Sequence, residues 1–160
     1  MKERVRLRVK LSLGHTGGIT ITDLVKPDQK NTICILLVDD QRFIVDTGKK
    51  ILESLGYKVV GQTSSVDALS AFVAQPSKFD LVVTDLTMPK MTGVDLSQAI
   101  RKIRPDIPII LCTGYSEELH PQKAQRLGIK KMIMKPFTIK ELTHVIEALL
   151  KEDLENSTTH

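Results

Sequence analysis

The chain has no tryptophan, and aromatic residues make up 4% of it. Base-stacking platforms and aromatic ligand boxes therefore have little material to draw on. There are two cysteines, Cys34 and Cys112, each inside an apolar run and neither near a histidine cluster. That excludes a disulfide framework and a Cys/His zinc site, and it fits a reducing, cytoplasmic setting. The longest apolar run, Ile33 to Val38, has six residues, against the roughly 20 that a membrane-spanning helix requires. The opening Met-Lys-Glu-Arg-Val-Arg-Leu-Arg is not a signal peptide, and no internal repeat is present. What remains, 41% hydrophobic and 26% charged over 160 residues, is the mix of a soluble globular domain with a sizeable core.

A net charge of +4 suggests a polyanionic partner until it is divided along the chain. Residues 1–30 hold seven Lys/Arg against three acids, whereas residues 31–160 hold sixteen of each sign. The excess belongs to the N-terminal segment, where a solvated strand face accounts for it at least as well as a phosphate-binding patch. The main domain is neutral, so no direct nucleic-acid role is expected of it.

From Ile33 onward short apolar runs alternate with amphipathic segments. Ile33–Val38, Lys58–Gly61, Leu81–Thr84, Ile107–Cys112 and Met132–Met134 read as strands buried on both faces. The first intervening helix presents Ile44, Gly48, Ile51, Leu52 and Leu55 and stops at Gly56. The second follows a capping box at Ser64–Asp67 and presents Val66, Leu69, Phe72 and Val73. A third, capped at Thr92–Asp95, carries Leu96, Ala99, Ile100 and Ile103 and ends at Pro105. A weaker fourth is expected from Ser116 to Leu127. A fifth opens at Thr138–Glu141 and carries Leu142, Val145, Ile146 and Leu149. This (βα)5 pattern over residues 33–153 predicts an α/β doubly wound parallel sheet in the order 2-1-3-4-5. Residues 1–32 read as a β-rich leader and linker: strands at Arg4–Leu13 and Ile19–Ile21, a turn at Gly14–Gly18, and a polar stretch at Lys26–Asn31. Residues 154–160 read as a flexible tail.

The chemistry gathers at the carboxyl ends of the predicted strands. Strand 1 runs into Asp39-Asp40, strand 3 into Asp85, strand 4 into Thr113-Gly114 and strand 5 into Lys135-Pro136. In the 2-1-3-4-5 order the acids would converge in one crevice, where unpaired carboxylates repel. Mg²⁺ would relieve the repulsion and prefers one or two carboxylates, waters and a substrate phosphate. Acids, a divalent cation, a hydroxyl and an ammonium around one crevice suit phosphoryl transfer.

Four motifs in order, Leu37-Val38-Asp39-Asp40, Asp85 to Gly93, Thr113-Gly114 and Lys135-Pro136-Phe137, resemble those of response-regulator receiver domains. These are the phosphoprotein modules of two-component signal transduction and phosphorelay. The spacings of 45, 28 and 22 residues between Asp40, Asp85, Thr113 and Lys135 also fit. The resemblance implies a flavodoxin-like fold with Asp85 as phospho-acceptor. It implies Mg²⁺ bound directly by Asp40 and Asp85, through water by Asp39, and by the Thr87 backbone carbonyl. Thr113 and Lys135 would contact the phosphoryl group, and Lys135-Pro136 would be a cis peptide. The implied donor is a histidine kinase or phosphotransfer protein, and the signal passes to a downstream protein partner. The family usually has an aromatic switch residue three before the lysine; here that position is Met132, and Thr113 is the other switch residue that the resemblance implies. Gly14–Gly18 faintly resembles a glycine-rich segment of histidine-kinase ATPase domains, so the chain reads either as a stand-alone regulator or as the C-terminal receiver of a hybrid kinase.

Rival readings differ in what they require. A phosphatase of the haloacid dehalogenase type needs a second aspartate two residues after the nucleophile, where this chain has Thr87. A pseudo-receiver that binds without phosphorylation would lack some of the five key side chains, and all are present. A DNA-binding regulator needs an output domain, for which about ten residues after the last helix are too few. On the leading reading the domain assists its own phosphorylation and dephosphorylation and is not otherwise an enzyme.

Overall fold

In a computed structural model of the chain, residues 32–114 and 119–158 are described, with side chains as far as 152. Five parallel strands, β1 Cys34–Val38, β2 Lys58–Gln62, β3 Leu81–Asp85, β4 Ile109–Thr113 and β5 Lys131–Met134, lie in the order β2-β1-β3-β4-β5. The expected flavodoxin-like topology is the one observed. Helices α1 Arg42–Ser54, α2 Ser65–Ala74, α3 Gly93–Ile103, α4 Pro121–Arg126 and α5 Ile139–Thr158 connect and follow the strands. None of the described helices is long and apolar enough to cross a membrane.

The uninterrupted apolar runs are explained by two cores that share the sheet. Leu36, Val38, Val82 and Ile109 face α2 and α3, meeting Ala68, Phe72, Leu96 and Ile100. Their neighbours Ile35, Leu37, Leu81, Val83 and Ile110 face the other way, onto Leu52 of α1 and Leu142, Ile146 and Leu149 of α5. Successive strand residues point to opposite faces, so both phases must be apolar. Each such fully buried side chain contributes about 1.5–3 kcal/mol. A third cluster is small, with Leu111, Ala124 and Ile129 buried beneath α4, so α4 has the least packing to lose if it moves.

Several boundaries and faces differ from expectation. Strand β4 starts at Ile109 because Pro108 has no N–H for the ladder; Ile107 is nonetheless buried. Helix α4 starts at Pro121 rather than Ser116: the residue before a proline is pushed out of helical conformation, and His120 is extended at φ −62°, ψ 136°. On α1 the buried positions are Val45 and Leu52, while Leu55 is the exposed C-cap and Gly56 takes φ 95° to end the helix. On α2 the inward stripe is Ser65, Ala68 and Phe72, leaving Val66 and Val73 exposed. The full capping box forms at Thr92/Asp95 and at Thr138/Glu141, whereas Ser64 accepts from Asp67 N without a returned bond. The backbone of α5 stays helical to Thr158, past the boundary expected at 153. The strands, turn and linker expected within residues 1–31 lie outside the described residues.

Candidate functional site

The sheet order sets the ends of β1 and β3 side by side, with Val38 opposite Thr84. Asp39 follows β1, Asp85 closes β3, Thr113 closes β4, and Lys135 follows β5. Four strands thus deliver four functional side chains to one edge. The two acids are not left facing each other. Lys135 Nζ donates to Asp39 Oδ2 and to Asp85 Oδ1, both at 2.7 Å. Asp39 Oδ1 accepts from the backbone N–H of Gln41 at 2.9 Å, so both oxygens of that carboxylate are engaged. Asp39, Asp85 and Thr113 are buried.

Local backbone holds these groups in place. Lys135 N–H donates to Thr113 O at 2.7 Å, tying the end of β5 to the end of β4, and the Lys135-Pro136 peptide is cis as expected. The loop after β3 turns through Lys90 at φ 69°. It then returns to Leu86, whose carbonyl accepts from Gly93 N–H at 2.8 Å. A Cβ on Gly93 would lie 2.0 Å from the backbone oxygen of Asp85. Only glycine allows α3 to start this close to the end of β3.

Burial is the largest influence on Lys135 and by itself lowers its pKa. The hydrogen bonds and charges of Asp39 and Asp85 outweigh it, and the net effect is a pKa above the ordinary 10.5. Lys135 is therefore a fixed cation. Because the folded state holds this proton more tightly than the unfolded chain, the ion-pair contribution is complete below the ordinary lysine value and lost as pH rises through the raised one. The native chain is accordingly expected to exceed Lys135→Met in urea midpoint by a constant margin from neutral pH, with the margin shrinking at strongly alkaline pH. A margin independent of pH would show that the pairing is not its source. Beside Asp85 in the β3–β4 ladder sits Cys112. Burial, partly opposed by Lys135 and reinforced by Asp85 and Asp39, pushes its thiol up to about 12. It stays protonated and is no nucleophile.

The structure does not gather all the expected acids. Asp40 is exposed, and no hydrogen bond or ion pair holds its side chain among the described residues. No group of three or more His, Cys, Asp or Glu among them is arranged to hold a metal. The expected crevice of three converging carboxylates is instead two acids around a lysine, with the third at the rim. Asp39, the buried one of the adjacent pair, is the acid that Lys135 engages. Thr87 is exposed on the loop after β3. Met132, at the switch position, is half-buried against Leu111, Ala124 and Ile129. Sequence reasoning missed the lysine bridge between Asp39 and Asp85 and the close approach at Gly93. A signal for part of it was present, since an Asp commonly accepts from the N–H two residues on, as Asp39 does from Gln41.

A family model described as the response regulator receiver domain matches residues 35–147. The chain belongs to this family. It is 36% identical over 118 residues to the chemotaxis protein CheY of Thermotoga maritima, covering 73% of this chain and 94% of that one. It is 35% identical over 127 residues to the sensor kinase CckA of Brucella abortus, covering 79% of this chain but 13% of the kinase. A crystal structure of a response regulator receiver domain protein from Clostridium thermocellum matches with a TM-score of 0.71 at 31% identity, over 75% of this chain and 95% of that one. Receiver domains of this kind act in two-component signalling, and the edge carrying Asp85 and Lys135 holds this domain's buried ion pairs.

Proposed function

We propose that this receiver accepts a phosphoryl group on Asp85 from a phosphohistidine of a kinase or phosphotransfer protein. The carrying observation is the double ion pair of Lys135 with Asp39 and Asp85, which holds a cation where the transferring group would gather negative charge. An Asp85 carboxylate oxygen attacks phosphorus, the P–N bond breaks, and its electron pair leaves with the imidazole, which takes up a proton. Water later cleaves the acyl phosphate, releasing inorganic phosphate and restoring the carboxylate. Lys135 exchanges a carboxylate oxygen for a phosphoryl oxygen, and the Thr113 hydroxyl donates to another.

The donor set is hard oxygen throughout, which suits Mg²⁺. Receiver domains of this family generally depend on that ion. Asp40, Asp85 and the Thr87 carbonyl would hold it, with Asp39 acting through water because both of its oxygens already accept hydrogen bonds. When bound, the ion neutralises charge on the phosphoryl oxygens. On this reading the domain is a switch in the cytoplasm that turns over no outside metabolite, and a downstream protein reads its phosphorylated state. Phosphorylation adds about −1.5 to −2 charge at the crevice, and the sparsely packed α4 is the element best able to respond.

The test is incubation of the full chain with acetyl phosphate. With Mg²⁺, intact-mass spectrometry should show a single added phosphoryl group, and a chelator should suppress it. Equal labelling with the chelator would remove the metal from the reading, and no labelling at all would remove acceptance itself.

A further inference from the structure

Outside the acidic edge, the described residues form an open groove of about 430 Å³ between α3 and the end of α4. Gln98, Arg101 and Lys102 line it from α3, Arg126 from the end of α4 and Leu127 from its C-cap. Three of these five are cations and none is an acid. Among the described residues none of the three has a carboxylate partner, although ion pairs elsewhere engage Lys49, Arg104, Lys131 and Lys135. Residues 31–160 hold sixteen charges of each sign, so this uncompensated trio is a local feature rather than a consequence of a basic domain.

One of the three cations is held in place. Arg101 Nη1 donates to Gly128 O at 3.1 Å. Gly128 sits at φ 78°, and a Cβ there would lie 2.2 Å from Arg101 Nε. The guanidinium is thus packed directly against a bare backbone and positioned at the groove before any ligand arrives. It has five N–H donors, of which one makes this bond. A planar donor fork with two further cations beside it matches clustered phosphate oxygens better than a single carboxylate.

We propose that the α3–α4 groove binds a diphosphate group, carried by a nucleoside diphosphate or free as pyrophosphate. Arg101, Lys102 and Arg126 take the phosphate oxygens, and Leu127 with the Gln98 amide supplies an apolar and a hydrogen-bonding wall that a nucleoside would use and pyrophosphate would not. A ligand held from both sides links α4, which buries little of its own, to the well-anchored α3.

The experiment is a titration of the full unphosphorylated chain with ADP, pyrophosphate or inorganic phosphate, followed by backbone NMR in chelator so that the acidic edge takes no part. Saturable shifts are expected at residues 98–102 and 126–128, with amide exchange in α4 slowed. The double variant Lys102→Ala/Arg126→Ala should weaken binding at least about tenfold, the scale of charge-assisted bonds lost. Lys49→Ala/Lys50→Ala on α1 should bind as the native chain does. Tighter binding of ADP than pyrophosphate identifies a nucleoside ligand; equal binding identifies the diphosphate alone. Shifts spread over all surface cations, no saturation by about 1 mM, unchanged binding by the α3–α4 double variant, or tighter binding of an acidic peptide than of either diphosphate would each overturn the proposal. None of these readouts involves phosphorylation, so the outcome is separate from the acceptor role of Asp85.

Discussion

Asp85→Asn is expected to abolish phosphoryl incorporation from acetyl phosphate while the chain stays folded. The substitution keeps shape and volume, so the buried end of β3 has no reason to repack. It removes the anionic oxygen that attacks phosphorus, and an amide is a poor nucleophile. The electrostatics are also tolerable. Lys135 loses one of its two carboxylates but keeps the 2.7 Å pair with Asp39, so no buried charge is stranded, which is the outcome that makes broken ion pairs costly. With one acid gone, less opposes the lowering effect of burial on Lys135, and its pKa should fall relative to the native chain. Intact-mass spectrometry after incubation with Mg²⁺ reads the first expectation, and urea unfolding at neutral pH reads the second. Equal labelling of the Asn variant would take Asp85 out of the acceptor role. A loss of labelling accompanied by unfolding would instead show that the carboxylate holds the edge together.

How much was legible in advance follows from the range over which each cue acts. The parallel, doubly covered sheet was readable because the central runs, Ile33–Val38, Leu81–Val83 and Ile109–Cys112, are apolar in both phases, and such strands need helices on both faces. Helix ends with local chemistry were readable too: Thr92 with Asp95, Thr138 with Glu141, and Gly56. Helix faces were less so. Val66 and Val73 are as apolar as Phe72, and which of them turns inward is decided by the neighbours that Ala68 and Phe72 meet across the sheet. That Asp39, Asp85, Thr113 and Lys135 share one edge of the sheet was legible because each lies at the carboxyl end of a strand. The partition among the acids was not. Whether Asp39 or Asp40 is the buried one depends on Lys135, 96 residues away from Asp39 in the chain, and no local pattern reports that pairing. The α3–α4 groove was invisible for the same reason, since Arg101 and Arg126 become neighbours only through the fold.

Gly93→Ala is expected to destabilise the chain by about 3 kcal/mol, the upper end for forcing an extra carbon into filled space. An added Cβ would stand 2.0 Å from Asp85 O and 2.9 Å from both Asp85 C and Leu111 Cδ1. Two of those three atoms are backbone, so no rotamer change relieves the contact. Either the start of α3 or the end of β3 must retreat, and with it the bond from Gly93 N–H to Leu86 O. Gly48→Ala is the control. It is a glycine-to-alanine change inside α1, where alanine favours the helix by about 0.5–1 kcal/mol. There the new carbon meets only the tip of Leu37, at 3.0 Å, the end of a side chain rather than backbone. The two effects should nearly cancel, leaving Gly48→Ala within about 1 kcal/mol of native. Urea midpoints of the two variants compare a clash with backbone against a contact with a side-chain tip. Because the displaced backbone in Gly93→Ala belongs to Asp85, incorporation from acetyl phosphate should fall as well, even under conditions where the variant is fully folded. Matching midpoints would mean the end of β3 yields easily, and the tight junction with α3 would then not be what positions Asp85.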